Sequence, residues 1–272
     1  MSGFIYEKDN NNIVTITMDM EGPVNAMNDE YIQLMEDTVA RLEAEKEEIK
    51  GVIITSAKDT FFAGGDLKQL IKVEKGQEEE FFVSVERNKS SLRRLELLGK
   101  PVVAAINGAA LGGGCEICLA CHYRIALNNP KSQIGMPEVS LGLLPGAGGI
   151  VRTVRMLGLE QSLPLLLEGK RLKPEKALKA GLVNEVVDTP EEMLDKAKAW
   201  IESNPEAAQP WDQKGYKFPG GDIKRPYIVQ VLQAAPGMLY KKTKGLMPAP
   251  QKILSVAAES LRVDVDTALR IE

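Results

Sequence analysis

The chain has 272 residues, of which 44% are hydrophobic and 26% are charged. This composition is typical of a globular protein with room for one large domain or two small ones. Thirty-four basic and 38 acidic residues give a net charge of −4, so no net positive field favours nucleic acid or an acidic membrane as a partner. The longest apolar run, residues 102–106, is far shorter than the roughly 18 residues of a membrane-spanning helix.

The N-terminus and the cysteine content indicate a reducing compartment. Residues 1–7 contain neither a basic stretch nor an apolar signal core, and three cysteines do not form a disulfide framework. We therefore expect a cytoplasmic protein. The single histidine, His122, excludes a zinc site with two histidine ligands. Acid–base chemistry near neutral pH then falls to carboxylates or lysines with shifted pKa values.

The first part of the chain alternates between predicted strands and helices. Residues 13–18 alternate in polarity and predict a strand. From Asn28, a suitable N-cap, apolar residues recur at helical spacing to about Lys46. Residues 51–55 then predict a short buried strand.

The central part repeats the order of extended segment, glycine-rich turn and helix, with a longer helix predicted over about residues 81–98. The first repeat consists of residues 61–63, the turn 64–65 and a helix capped by Asp66. The second consists of residues 101–106, the turn 112–114 and its helix, and the third of residues 123–127, the turn 145–149 and its helix. This alternation predicts an α/β core.

The last part of the chain differs in composition. Thr189-Pro190-Glu191-Glu192 is a capping box that predicts a helix to about Ser203. Prolines and glycines between 205 and 226 predict an irregular connection, and two helical stretches follow, separated at 248–250. We expect an α/β core with the functional site over residues 1–204 and a helical region over 205–272. A helical pattern continues to residue 272, which fits a docked terminal helix and a chain cut from a longer one equally well.

Cys115, Cys118, Cys121 and His122 contain CxxC spacings and a CxxCH string. Haem attachment of this type belongs to exported proteins, and a metal cluster would lack a fourth ligand other than His122. On a helix the three cysteines share one face among small apolar residues, so we expect buried thiols and no metal site.

The glycine-rich turns match neither a dinucleotide-binding nor a Walker A motif. At turns 64–65 and 112–114, free backbone N–H groups at a helix start can hold one oxyanion between them, although turns needed only for packing are an equal alternative. Glu116 lies in a first helical turn, and Glu138 precedes the third glycine-rich turn. Taken singly, Glu116 is explained by a capping role at the helix start, and Glu138 by an exposed position in a loop. As a pair they suit proton transfer beside a thioester carbonyl.

Six segments, in this order and spacing, resemble the crotonase (enoyl-CoA hydratase/isomerase) superfamily over about residues 10–200. They are FAGGDL (62–67), KPVVAAING (100–108), LGGGCE (111–116), IGMPEV (134–139), GLLPGAGG (142–149) and AGLV (180–183). The resemblance implies a crotonase-like spiral of repeated ββα units, with a C-terminal helical region used in trimer assembly. It also implies an acyl-CoA thioester substrate, a homotrimer or hexamer, and no metal or separate cofactor.

The resemblance also implies roles for individual residues. Gly65 and Gly113 match the N–H donors of an oxyanion hole. Glu116 matches the base that activates water for addition to C3 of a 2-trans-enoyl-CoA, and Glu138 matches the acid that protonates C2. The positions implied for the substrate channel are Val24, Ala63, Asp66 and Leu67 on the CoA and thioester side, and Pro137 and Gly146 on the acyl side.

The two carboxylates together favour hydration, and the resemblance implies that the reaction belongs to fatty acid β-oxidation. Two alternatives stay open: an isomerase only, because such relatives can use the Glu138 position alone, and an acyl-CoA-binding domain of a longer multifunctional enzyme. Segments 22–25 and 248–254 are similar to the hydratase region of multifunctional fatty acid oxidation enzymes. Ile150 departs from the threonine usual at its position, which leaves the local helix start and the acyl pocket less defined.

Overall fold

The computed structural model describes residues 3–272, which contain nine strands and eleven α-helices. The strands are β1 (Gly3–Lys8), β2 (Ile13–Asp19), β3 (Gly51–Ser56), β4 (Val102–Ile106), β5 (Ala110–Leu111), β6 (Tyr123–Leu127), β7 (Ile134–Gly135), β8 (Arg171–Leu172) and β9 (Glu185–Val187). The helices are α1 (Asp29–Ala44), α2 (Leu67–Leu70), α3 (Glu78–Glu96), α4 (Gly113–Ala120), α5 (Gly149–Leu157), α6 (Leu159–Leu167), α7 (Pro174–Lys179), α8 (Pro190–Ser203), α9 (Pro226–Thr243), α10 (Pro248–Ser260) and α11 (Val265–Ile271). Short 3₁₀ helices span Lys46–Glu48, Glu138–Leu141 and Pro210–Asp212.

The strands form two sheets. The larger sheet has the order β1-β2-β3-β4-β6-β9 and is parallel except for the β1–β2 pair. The smaller sheet has the order β5-β7-β8. Single bridges from Phe62 to Ala110 and from Met27 to Gly65 extend this second row toward the start of the chain.

Successive turns of the chain therefore repeat one unit: a strand of the large sheet, a short extended segment in the second row, and a helix. β2, β3, β4 and β6 begin four such turns, and α1, α2, α4 and α5 are the first α-helices to follow them. The α/β class and the spiral of ββα units that the sequence predicted are confirmed.

Side-chain caps set three of the helix starts that the sequence predicted. Asn28 Oδ1 accepts from the Tyr31 N–H at 2.9 Å, and Asp66 Oδ1 accepts from the Lys68 N–H at 2.8 Å. Thr189 Oγ1 accepts from the Glu192 N–H at 3.1 Å. Each cap pairs an amide that the helix itself leaves without an acceptor.

Some boundaries differ from the prediction. β1 was not predicted, because residues 3–8 show no clean alternation of polar and apolar side chains. They form a strand by pairing with β2. α3 begins at Glu78, inside a stretch whose polarity hides the helix. Pro248 begins α10 and does not end a helix, because proline is tolerated in a first helical turn.

The C-terminal helices pack on the α/β core. One hydrophobic cluster contains residues of α4, α5 and α6 together with Ile253 and Ala257 of α10 and Leu269 of α11. The boundary at residue 204 stays a prediction, and the apolar core continues across it. No helix within residues 3–272 is both long and apolar enough to cross a bilayer.

The segment with the CxxC spacings lies inside the core. Its three cysteines are buried and free of disulfides. His122 accepts the Val102 N–H at Nδ1, and its Nε2 lies 3.1 Å from the Glu96 carbonyl. Burial lowers the pKa of His122 to about 4, so the neutral ring serves to join α3 to β4.

A fully buried ion pair joins α3 to α5. Arg152 donates from Nε and Nη2 to the two carboxylate oxygens of Glu96, at 2.8 and 3.0 Å. Its third nitrogen, Nη1, donates to the Ala147 carbonyl at 2.8 Å. Arg152 thereby ties the turn before α5 to α3.

Replacing Glu96 by glutamine should strongly destabilise the protein, because the charge of Arg152 would stay buried without a carboxylate. We expect E96Q to lower the free energy of unfolding by about 3–5 kcal/mol in urea titrations. The matched control is E43Q, which removes the partner of Arg94 from a half-exposed pair and should change it by about 1 kcal/mol or less. Equal losses in the two variants would contradict a dominant role for the buried pair.

Candidate active site

A cavity of about 900 Å³ opens where the second, third and fourth turns of the spiral meet the C-terminal helices. Residues used below that line it are Gly65, Gly113, Glu116, Glu138, Ala147, Lys252 and Glu272. Pro248, Ala249, Lys252 and Glu272 come from the predicted helical region. The sequence analysis expected the site to lie within residues 1–204, whereas the cavity also contains these four residues beyond that range.

Gly65 and Gly113 occupy equivalent positions in successive turns of the spiral, each after a segment of the second row and at or just before a helix start. The two turns are in close contact, since a Cβ built on Gly112 would lie 3.5 Å from Gly64 Cα. Neither Gly65 N–H nor Gly113 N–H donates to an acceptor within residues 3–272. The two amides predicted as an oxyanion hole thus line one cavity with their hydrogen-bonding capacity unused.

Gly112 makes this close approach possible. Its φ of +54° lies in the left-handed region, and a Cβ there would come within 2.7 Å of Glu138 Oε1. A side chain at this position would therefore strain the backbone and displace the carboxylate.

A buried asparagine fixes the segment that carries Gly65. Asn25 Oδ1 accepts the Met20 N–H, and Asn25 Nδ2 donates to Ser56 Oγ and to the Phe61 carbonyl. The Asn25 carbonyl also accepts the Ala63 N–H. The sequence analysis included Asn25 only in the segment 22–25, because most of its hydrogen-bond partners are distant in sequence.

Glu116 lies in the first turn of α4 and is almost completely buried. Its Oε1 accepts the N–H groups of Ala147 and Gly149, at 2.7 and 2.8 Å. Burial is the largest effect and leaves the pKa of Glu116 above its ordinary value, although the two amide donors favour the ionised form and oppose this shift. Glu116 Oε2 has no hydrogen-bond partner within residues 3–272 and can bind water.

Glu138 begins the 3₁₀ helix after β7, and its Oε2 is buried without a partner in the described chain. Burial, followed by the negative charge of Glu116, raises the pKa of Glu138 to about 8. At neutral pH Glu138 is therefore mostly protonated and can donate a proton. Glu116, which is held by amide donors, and Glu138, whose Oε2 has none, therefore have environments that suit opposite roles.

The other predicted substrate-binding residues fall into two groups. Those that line the cavity are Ala63, Asp66, Leu67, Pro137 and Gly146. Val24 lies between β2 and α1 and is not among the described lining residues. Ile150, the departure from the usual threonine, is fully buried in the apolar core, and α5 begins normally beside it.

Sequence reasoning missed Glu272. Its carboxylate accepts the N–H groups of Gly148 at 2.6 Å and Val151 at 2.9 Å, in the same turn that holds Glu116. Burial and the charge of Glu116 raise the pKa of Glu272 to about 8. No local motif marks this residue, because its partners lie more than 120 positions earlier in the chain.

Comparison with known proteins adds a family and several relatives. The family model for enoyl-CoA hydratase/isomerase matches residues 8–210. A fatty acid oxidation complex subunit alpha from Shewanella halifaxensis is 36% identical over 267 residues, which cover 96% of this chain and 36% of that protein. The protein of the same description from Idiomarina loihiensis is 36% identical over 269 residues, with 95% and 36% covered. The chain thus spans about a third of the length of these curated relatives.

Solved structures share the fold. An enoyl-CoA hydratase from Bacillus anthracis is 30% identical, with a TM-score of 0.67 over 74% of this chain and 76% of that one. A Geobacillus kaustophilus structure described as an enoyl-CoA hydratase is 26% identical, with a TM-score of 0.67 over 75% of each chain.

The raised pKa of Glu138 should make the stability depend on pH. Between the ordinary value of 4.5 and about 8, the folded state binds more protons at Glu138 than the unfolded state, so the free energy of unfolding falls as pH rises. The contribution of Glu138 is complete below pH 4.5 and is lost as pH rises through about 8.

We expect E138Q to reduce the difference between the unfolding free energies at pH 5 and pH 9 by at least about 1.4 kcal/mol, the equivalent of one pKa unit. Part of the difference should persist, because Glu272 contributes in the same direction. Urea titrations at both pH values measure this difference, and the control is E202Q, on the exposed face of α8. An unchanged difference in E138Q would contradict the assigned pKa.

Proposed function

Because the chain belongs to the enoyl-CoA hydratase/isomerase family, as the six motifs between residues 62 and 183 predicted, we propose that it hydrates 2-trans-enoyl-CoA to 3-hydroxyacyl-CoA. One observation carries the proposal: a single cavity is lined by the unpaired amides of Gly65 and Gly113, by Glu116 held by two amide donors, and by Glu138, which is protonated at neutral pH. These are the groups that addition of water to an unsaturated thioester requires.

The two glycines receive the thioester oxygen. Negative charge develops on this oxygen as water attacks C3 and the C2=C3 electrons move toward the carbonyl. The N–H groups of Gly65 and Gly113 donate to the oxygen and stabilise that charge more in the transition state than in the ground state. Because both donors are backbone atoms fixed by the spiral, little reorganisation is needed during the reaction.

The two carboxyl groups move the protons. Glu116 Oε2 removes a proton from water as the water oxygen bonds to C3. Glu138 gives its proton to C2, and the electrons held at the thioester oxygen return to form the C2–H bond. Transfer of the proton from Glu116 to Glu138 restores the starting state. The net reaction adds one water across the double bond without oxidation or reduction.

Turnover of crotonyl-CoA tests the proposal. We expect rapid loss of the enone absorbance with the wild-type protein. E116Q and E138Q should each lower kcat by about 10²–10⁴-fold, since each removes one proton transfer, while KM changes little because the oxyanion hole and CoA contacts remain. Hydration should also decline above about pH 8, where Glu138 loses its proton.

The control is E202Q, which makes the same substitution on the remote exposed face of α8 and should retain wild-type turnover. Wild-type turnover in both site variants would show that the carboxyl groups do not carry the reaction. A folded wild-type protein that binds acyl-CoA without turnover would favour the acyl-CoA-binding alternative.

A second activity, isomerisation of 3-enoyl-CoA to 2-enoyl-CoA, is favoured by the unpartnered Oε2 of Glu138. One such carboxylate can move a proton from C2 to C4 while the oxyanion hole holds the dienolate. This reaction begins with ionised Glu138, whereas hydration begins with the protonated form.

E116A should separate the two reactions. Removing Glu116 takes away the like charge that helps to raise the pKa of Glu138, so more Glu138 is ionised. We expect E116A to retain isomerisation of 3-enoyl-CoA within about tenfold while hydration of crotonyl-CoA falls at least about 100-fold. Parallel loss of both reactions would contradict isomerisation through Glu138 alone.

We further propose that the reaction belongs to fatty acid β-oxidation in the cytoplasm and requires no separate cofactor. Support for the pathway comes from the relatives described as fatty acid oxidation complex alpha subunits. A homotrimer or hexamer is also proposed. Exposed apolar side chains on and after α9, among them Met238, Tyr240 and Leu246, offer surface for such assembly.

A further inference from the structure

The turn that begins α5 holds two carboxylates at once. Its amides alternate between them: Ala147 and Gly149 donate to Glu116, and Gly148 and Val151 donate to Glu272. Gly148 has a φ of +97°, a left-handed conformation that points successive N–H groups in different directions. One turn thereby serves a carboxylate from α4 and another from the end of α11.

We propose that Glu272 is a positioning residue for Glu116, which orients the turn that holds Glu116. The inference rests on the proposed hydratase function, in which Glu116 is the base. Glu272 lines the same cavity but acts through Glu116 and not on the substrate.

The orienting effect follows from the hydrogen bonds. Without an acceptor, the Gly148 and Val151 N–H groups would be left unpaired at a largely buried helix start. Their pairing with Glu272 fixes the peptide groups 147–148 and 150–151, between which the Gly149 amide donates to Glu116. Glu116 Oε1 then meets two amides, and its Oε2 stays available to water.

The electrostatic effect follows from two carboxylates sharing one helix start. The negative charge of Glu116 adds to burial in raising the pKa of Glu272 to about 8, so at neutral pH Glu272 is mostly protonated and acts on Glu116 through the turn. The positive end of α5 compensates part of the negative charge.

Several charged groups surround Glu272 on the elements packed against it. Those that act on it are Glu116 of α4, Lys89 of α3 and Arg152 of α5, and Glu272 in turn acts on Glu138. The same elements also carry Glu86 and Arg93 of α3, Lys252 of α10, and Asp266 and Arg270 of α11. Lys89 also fixes α11 in place, since its Nζ donates to the Leu269 carbonyl at 2.6 Å.

Three variants separate the positioning role from simple docking of α11. E272Q keeps the shape but replaces one of the two acceptor oxygens by an NH₂ group, and E272D keeps the carboxyl group but withdraws it by one methylene. D266N is the control: Asp266 lies on the same helix and accepts from Arg93 Nε at 2.7 Å, away from the α5 turn.

In crotonyl-CoA hydration we expect E272Q to lower kcat about 10- to 100-fold with KM nearly unchanged, because Glu116 is misplaced. The acidic limb of its kcat/KM profile should stay in place, because Glu272 is already neutral in the pH range where Glu116 ionises. E272D should lower kcat less than E272Q, and D266N should keep the wild-type kcat. An E272Q variant with wild-type kcat, or a D266N variant that reproduces its effect, would overturn the inference.

A second measurement does not depend on turnover. Infrared titration of the protonated carboxyl C=O stretch follows the buried carboxyls directly, and E116Q identifies the band of Glu116. The band of Glu272 is identified by its loss in E272Q. In E116Q the Glu272 band should disappear at a lower pH than in the wild type, because the charge of Glu116 that raises the pKa of Glu272 is gone, and in D266N it should not shift. An unshifted Glu272 band in E116Q would overturn the contact between the two carboxyl groups through the α5 turn, whereas wild-type protein without hydratase activity would instead reject the proposed function.

Discussion

The site depends on the burial of negative charge at the start of α5. A carboxylate with almost no solvent contact, such as Glu116, is costly unless donors compensate it. Here the compensation comes from backbone amides of the turn that precedes α5 and its first residues. The absence of a side chain at Gly149 leaves room for the Glu116 carboxylate, since a Cβ there would lie only 2.8 Å from Glu116 Oε1.

The surrounding framework holds that turn in place. Arg152 donates to the Ala147 carbonyl and to Glu96. These hydrogen bonds connect the turn and α5 to α3. On the opposite side of the cavity, Asn25 performs a similar task for the segment that carries Gly65. The chemistry of the site therefore relies on buried polar networks that do not contact the reacting atoms.

The spiral explains why residues far apart in sequence converge. Gly65, Gly113 and Glu138 follow the second-row segment of three successive turns, and each turn displaces the chain by one strand spacing. Equivalent positions are consequently neighbours. A repeated ββα unit thus brings an oxyanion hole and two carboxyl groups to one cavity.

The sequence by itself determined the features that depend on local chemistry. Helix caps at Asn28, Asp66 and Thr189, the buried strands and the glycine-rich turns were predictable, because each depends on residues within a few positions. The ordered motifs also identified the family and the pair Glu116 and Glu138. Tertiary structure alone decided the protonation preferences of that pair, the ion pair of Glu96 with Arg152, and the entry of Glu272 into the cavity. These depend on burial and on partners far away in sequence, and a linear pattern contains neither.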